Sequence, residues 1–229
     1  MEESSQRKSF GPPAFREGTI TQLQQQRKDP KRVSIFIDGE FVFGMHMDLA
    51  VQFALEKGRV ITVEKQREVW EAERLLRAKT SALDYIAYKA RTEHEVNKKL
   101  RSQGFEEVIV EAVIERFRDL GYINDHQYAH QFAQSRLNSK GHGPRRIRND
   151  LRRRGIQTSH IQEALETLDD TDSQMETAYT LAEKRWARLA KETNPMKRRK
   201  KLQDFLVRRG FDFDTIRAVV DRLRRESSE

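Results

Sequence analysis

The sequence contains no cysteine, which excludes disulfides and thiolate metal sites. No apolar run approaches the ~20 residues needed to span a bilayer, so no membrane partner is expected. The opening stretch "MEESSQRKSFGPPAFREG" has no apolar signal-peptide core. A cytoplasmic protein is expected, with residues 1–17 a mobile tail. There is no phosphate-binding GxxxxGK loop and no GxSxG nucleophile elbow. Apolar residues are also scarce, at 36% against 35% charged, with mean hydropathy −0.86. Across 229 residues, such a composition suits small helical units with much surface and little core.

What the chain does have is positive charge, unevenly placed. The net charge is +8. Residues 140–155, "KGHGPRRIRNDLRRRG", set Lys140, Arg145, Arg146, Arg148, Arg152, Arg153 and Arg154 against the single carboxylate of Asp150. Residues 197–209 set Lys197, Arg198, Arg199, Lys200, Lys201, Arg208 and Arg209 against Asp204 alone. These two stretches carry more than the whole excess, so the remainder is net negative. Local concentration of positive charge points to a polyanionic partner.

The chain repeats itself. Gly104, Gly155 and Gly210 are 51 and 55 residues apart. Eight and four residues before each stand Val96 and Leu100, Ile147 and Leu151, Leu202 and Leu206. Just after each comes Phe105, Ile156 or Phe211. Further on, Val110, Val113, Ile114 and Phe117 match Ile161, Ala164, Leu165 and Leu168, then Ile216, Val219, Val220 and Leu223. Steps of three, one and three trace one face of a helix. An upstream helix precedes each copy: "SALDYIAYKAR", "DHQYAHQFAQSRL" and "METAYTLAEKRWARLA". Each copy is therefore expected to be three short helices.

The punctuation agrees. Ser81 with Asp84, and Thr92 with Glu95, fit the capping box. Pro144 suits a first helical turn. The three anchor glycines suit left-handed helix ends, and Gly121 closes the first unit. Asn124 or Asp125 caps the helix that follows.

The region ahead of the repeats differs. In "RVSIFIDGEFVFGM", Asp38-Gly39 between two β-prone runs predicts a hairpin. Phe36 is expected opposite Phe41, and Ile35 opposite Val42. Both faces are apolar, so a further strand such as "TITQLQ" and a helix should cover it. Residues 64–79 read as a linking helix. The expected fold is mainly α: three tandem three-helix repeats in an elongated array, at 80–125, 126–172 and 173–229. The β-hairpin region at 18–63 and the linking helix come first.

Candidate chemistry is thin. His126 and His130 have the i, i+4 spacing of metal ligands, but no third ligand is evident nearby. They read as polar residues beside the core face of Tyr128 and Phe132, so no metal or other cofactor is expected. "DDTDS" at 169–173 lacks the glycine and closing glutamate of a calcium loop and reads as a linker. Glu71, Glu73 and Glu111 read as solvent-side carboxylates. No catalytic set emerges, and no enzyme is expected.

The basic element is more informative. With Ile147 and Leu151 buried, Arg145, Arg146, Arg152 and Arg153 lie roughly 120–140° from the buried centre. Arg148 lies roughly 80° away and Arg154 roughly 40°. Acidic partners at i±4 are nearly absent, and each like-charge pair costs ~0.2–0.5 kcal/mol. Arginine rather than lysine favours bidentate contact with phosphate or carboxylate. A surface facing a polyanion is therefore expected at Lys140, Arg145, Arg146, Arg148, Arg152, Arg153, Lys197, Arg198, Arg199 and Lys201. A purely structural scaffold would not concentrate charge this way. A general nucleic-acid-binding helical module and a more specific regulator both would.

"RTEHEVNKKLRSQGF" (91–105), "GYINDHQYA" (121–129) and "KGHGPRRIRNDLRRRGI" (140–156) resemble the RecX family of regulators of the RecA recombinase. The resemblance spans roughly residues 19–225. It implies three tandem three-helix units. It also implies binding in the groove of a RecA–DNA filament, through recombinase and single- or double-stranded DNA, with inhibition of ATPase, strand exchange and coprotease activities in DNA repair and the SOS response. The basic residues of the second unit correspond to the positions implied to meet that surface. Where Asn124-Asp125 stands, the family more often has two acidic residues. A monomer is expected.

Overall fold

The computed structural model describes residues 12–168 and 171–226. Most of the expected tail (1–11) and Asp169-Asp170 of the "DDTDS" stretch lie outside them. The chain forms two compact units: one runs to residue 89 and includes 97–117, the other holds 90–96 and continues from 118. Among the described residues, no helix is long and apolar enough to cross a membrane.

The first unit opens with a four-stranded sheet. Strands β1 (Gly18–Gln26), β2 (Asp29–Ile37), β3 (Glu40–His46) and β4 (Val60–Ile61) lie in the order β3-β2-β1-β4. A short helix α1 (Met47–Gln52) follows β3. Asp38 (φ 48°) and Gly39 (φ 84°) are both left-handed, as a two-residue hairpin turn of the primed type requires. Phe36 pairs with Phe41 as expected, but Ile35 pairs with Phe43 rather than Val42. A bulge in β3 opposite the Ile35–Phe36 step absorbs the extra residue, Val42. The slip has a packing reason: it puts Phe43, with Ile35 and Ile37, into the core while Val42 stays half-exposed. Strand β1, which contains the "TITQLQ" segment, hydrogen-bonds along the edge of β2 rather than covering a face of the hairpin, and Phe41 stays exposed.

One helix, α2 (Val63–Tyr88), runs where two were expected. The linking helix and the first helix of repeat one are continuous. Ser81 is therefore no N-cap; its hydroxyl donates to Gln103 Oε1 at 2.6 Å. No glycine or proline interrupts the segment, so nothing forces a break. Val69 and Trp70 of α2 pack on the sheet core. Glu73, expected at the solvent side, is fully buried. Its carboxylate pairs with Arg32 at 2.7 Å and accepts from the His46 backbone N–H at 2.8 Å. Ahead of β1, Phe15 sits edge-on to Phe43 and Arg16 pairs with Glu40.

The repeats follow as α3 (Glu93–Ser102), α4 (Glu107–Asp119), α5 (Asp125–Lys140), α6 (Pro144–Arg152), α7 (Thr158–Glu166), α8 (Thr171–Arg188), α9 (Pro195–Arg209) and α10 (Phe213–Glu226). Every apolar position aligned on the three glycines is buried. Repeat two closes its core with Ala129, Ala133 and Leu137 of α5, and repeat three with Ala178 and Ala182 of α8. The capping box at α3 is complete: Thr92 Oγ1 accepts from Glu95 N, and Thr92 N donates to Glu95 Oε2. Asn124 is the cap of α5, accepting from Gln127 N at 2.8 Å. Asp125 instead accepts from the Glu93 N–H at 2.9 Å.

Candidate polyanion interface

Gly155 and Gly210 have φ of +77° and +92°, the left-handed geometry that ends a helix. Each glycine also faces the start of the preceding repeat's second helix. The Gly143 N–H donates to Arg209 O at 2.8 Å, and the Arg145 N–H to Gly210 O at 3.0 Å. The Arg146 guanidinium reaches Arg208 O at 3.3 Å, and that of Arg209 reaches Lys140 O at 2.6 Å. A Cβ on Gly210 would lie 2.5 Å from the Arg146 backbone nitrogen. The C-terminus of α9 thus abuts the N-terminus of α6. One repeat earlier the same docking recurs: Thr92 Oγ1 donates to Arg154 O at 2.7 Å, and a Cβ on Gly155 would strike His94.

This docking joins the two basic runs. Arg208 and Arg209, ending α9, stand beside Arg145 and Arg146, beginning α6. The negative end of the α9 dipole meets these arginines and eases their mutual repulsion. The docking also uses up the N–H groups of α6 that would otherwise invite an anion.

Ile147 and Leu151 of α6 are fully buried, while Arg145, Arg146, Arg148, Arg152 and Arg153 are exposed. None of the five forms an ion pair among the described residues. Arg145, Arg148 and Arg152 line one groove of about 650 Å³, with Thr158 and Gln162 of α7 on its wall. Glu166 and Asp212 also border it. Lys140 is exposed at the end of α5. Arg154 turns inward: its guanidinium lies over the Phe132 ring at 4.5 Å and donates to Asp150 O. Burial, and next Arg146, hold His142 below its ordinary value.

In α9 the expected residues divide. Lys197 is exposed. Arg199 stands 3.9 Å from Asp221. Lys201 pairs with Glu192 at 2.5 Å. Arg198 stacks on Trp186 with its guanidinium carbon 3.8 Å from the ring centre, and donates to Trp186 O. That packing makes Arg198 part of the fold of repeat three. Lys200 and Arg208, not singled out by sequence, are exposed. Their place in a basic run was the only available signal.

Another cluster lies beside the repeat-two core. His126 Nε2 is 3.2 Å from His130 Nε2 and 3.1 Å from Glu163 Oε2. Sequence spacing could not supply this third group, because Glu163 comes from α7.

Four family models match the chain in succession. "Regulatory protein RecX N-terminal domain" covers residues 18–62. The first, second and third three-helix domains of RecX cover 78–117, 124–165 and 172–220. "Regulatory protein RecX" of Clostridioides difficile (strain 630) is 33% identical over 206 residues, covering 90% of this chain and 96% of the relative. That of Bacillus subtilis (strain 168) is 30% identical over 215 residues, covering 92% and 79%. A solved structure described as "Crystal structure of regulatory protein RecX" matches at TM-score 0.71 and 30% identity, over 89% of this chain and 98% of that one. With the sheet, the three helical repeats and these matches in one order, the chain belongs to the RecX family of regulatory proteins.

Proposed function

We propose that this chain regulates the RecA recombinase, mainly as an inhibitor, by binding the RecA–DNA filament as a monomer in the cytoplasm. The observation that carries this reading is the exposed, ion-pair-free arginine face of α6, abutted by the basic end of α9. Arg145, Arg148 and Arg152 would take DNA phosphates and recombinase carboxylates by paired N–H contacts. Arg146, Arg153, Lys140, Lys197 and Arg199 would extend the field. A tandem array suits a helical groove, because modest contacts from several repeats sum through high effective concentration. The action is non-enzymatic: any change in ATP turnover would be exerted through the recombinase's own ATPase.

The competing reading is a general nucleic-acid-binding module, since the same arginines would also neutralise bare DNA. Titration onto pre-formed RecA–single-stranded-DNA filaments, following ATP hydrolysis, separates the two. A filament regulator inhibits at fewer molecules than recombinase protomers, and added bare DNA does not relieve it. If inhibition needs at least one molecule per protomer and bare DNA abolishes it, the filament reading fails and the general module stands.

A further inference from the structure

Among the described residues, His126, His130 and Glu163 form a group whose ligand atoms all lie within 4.8 Å of one another. His126 and His130 are one turn apart on α5, so their rings share a face. Their centroids are 4.4 Å apart. Glu163 approaches from α7, 33 residues beyond His130, across the tightly packed α5–α7 pair of repeat two.

The distances suit one kind of occupant. Metal–ligand bonds of ~2.0–2.1 Å at the tetrahedral angle place neighbouring ligand atoms roughly 3.3 Å apart. The Nε2–Nε2 separation is 3.2 Å and the Nε2–Oε2 separation is 3.1 Å. Both match that edge.

The surrounding hydrogen bonds prepare a ligand. Thr167 Oγ1 donates to Ala164 O at 3.0 Å. Its remaining lone pairs face His130 Nδ1 at 3.2 Å, so His130 donates there from Nδ1. Its Nε2 is then the bare nitrogen, turned toward His126 and Glu163. This is how outer partners fix the tautomer of a metal-binding histidine. His126 and Glu163 are about half-exposed, with side-chain accessibilities of 52% and 51%, which leaves a path for an ion and a fourth position for water.

We propose that His126, His130 and Glu163 bind a first-row divalent cation of borderline softness, with Zn²⁺ the probe of choice, and that the ion clamps α5 to α7. Two imidazoles and one carboxylate suit Zn²⁺, Ni²⁺ or Cu²⁺. Mg²⁺ and Ca²⁺ prefer oxygen ligands. The proposal departs from the sequence-based expectation of no metal because Glu163 joins the two histidines only through the fold. The inference is independent of the filament reading.

The test uses full-length, tag-free protein stripped with chelator. Zn²⁺ is titrated against a chromophoric indicator, and Co²⁺ loading is followed by visible absorption. One Zn²⁺ binds per chain at micromolar concentration, raises the melting temperature, and is not displaced by excess Mg²⁺. The Co²⁺ complex shows the strong visible bands of tetrahedral geometry. The double variant His126→Ala/His130→Ala loses saturable binding with unchanged helical circular dichroism, as its surface position allows. Glu163→Gln weakens binding at least tenfold. Thr167→Val, which removes the partner of His130 Nδ1 together with the hydroxyl's bond to Ala164 O, weakens it about 10–100-fold. Absence of saturable binding by the wild-type protein overturns the proposal. So does a folded double variant that binds as the wild type does.

Discussion

Gly143 invites a substitution whose effect should have the opposite sign from its local expectation. It is the N-cap of α6, with φ −75° and ψ 167°, and makes no side-chain capping bond. Serine is a better N-cap than glycine by a few tenths of a kcal/mol, and this backbone conformation is open to any residue. Local reasoning thus predicts that Gly143→Ser stabilises. The junction predicts otherwise. A Cβ there would lie 2.5 Å from Gly210 C and Phe211 N, and 2.6 Å from Gly210 O. All three are backbone atoms, unable to swing aside. Restoring ordinary contact requires α9 to retreat by roughly 1 Å, which stretches the bonds from Gly143 N and Arg145 N. Two weakened backbone hydrogen bonds cost about 0.5–1.5 kcal/mol each, and overpacking costs about 1–3 kcal/mol. After the small capping gain, a net loss of about 2–5 kcal/mol is expected. The corresponding fall in melting temperature is roughly 6–20 °C for a unit of this size. Thermal melts followed by circular dichroism measure it. Gly121→Ser serves as the control: its Cβ would meet nothing within 4 Å, so it bears only left-handed strain. A Gly143→Ser protein that melts at or above the wild-type temperature would refute the junction argument.

Three further outcomes are expected. Leu151→Asp places an unpaired carboxylate in the repeat-two core and unfolds that unit, whereas Arg145→Ala/Arg152→Ala leaves the melting temperature nearly unchanged; a native melt for Leu151→Asp would mean the buried face is misassigned. Affinity for DNA or filament falls steeply with salt, at about −0.9 in log–log slope per phosphate neutralised, and reversing Arg145, Arg148 and Arg152 to glutamate flattens the slope by roughly 2–3; an unchanged slope in the folded variant would move the surface to α9. His142 gives a pH dependence: burial and the nearby Arg146, Arg209 and Arg136 hold it below its ordinary 6.5, with only Asp150 opposing. The unfolded chain therefore takes up that proton first, so stability is complete above pH 6.5 and declines as pH falls from 6.5 toward the folded value. Denaturant midpoints on either side of 6.5 check this, and His142→Gln should flatten the decline.

The repeats were legible because their signal is local and periodic. Leu100, Leu151 and Leu206 recur at a fixed distance before a glycine that must take positive φ, and all three are fully buried. The hairpin turn was legible for the same reason. What escaped depends on partners remote in sequence. Glu73 looks like any helical carboxylate until Arg32 and the His46 N–H arrive from the sheet. Arg198 looks like its neighbours in a basic run until Trp186 is placed beneath it. Ser81 and Asp84 satisfy a capping pattern, yet the helix passes through them, because a pattern that permits a start does not impose one. The His126–His130 pair could be noticed from its spacing, but Glu163 could not.

The position twelve residues before each anchor glycine tells how the array ends. Thr92 and Gly143 hold it in the first two repeats, and each receives the carbonyl end of the following repeat's second helix. In the third repeat the position is Arg198. There α9 begins earlier, at Pro195, and Arg198 is folded onto Trp186. The position that receives a helix end in the first two repeats lies inside α9 here. At the other end the first glycine has no preceding repeat to enter, and Arg74 of α2 takes Gly104 O at 2.9 Å instead. One arginine therefore serves as the terminus at each limit of the series. Duplicating a middle repeat would lengthen this protein by one whole unit, from glycine to glycine.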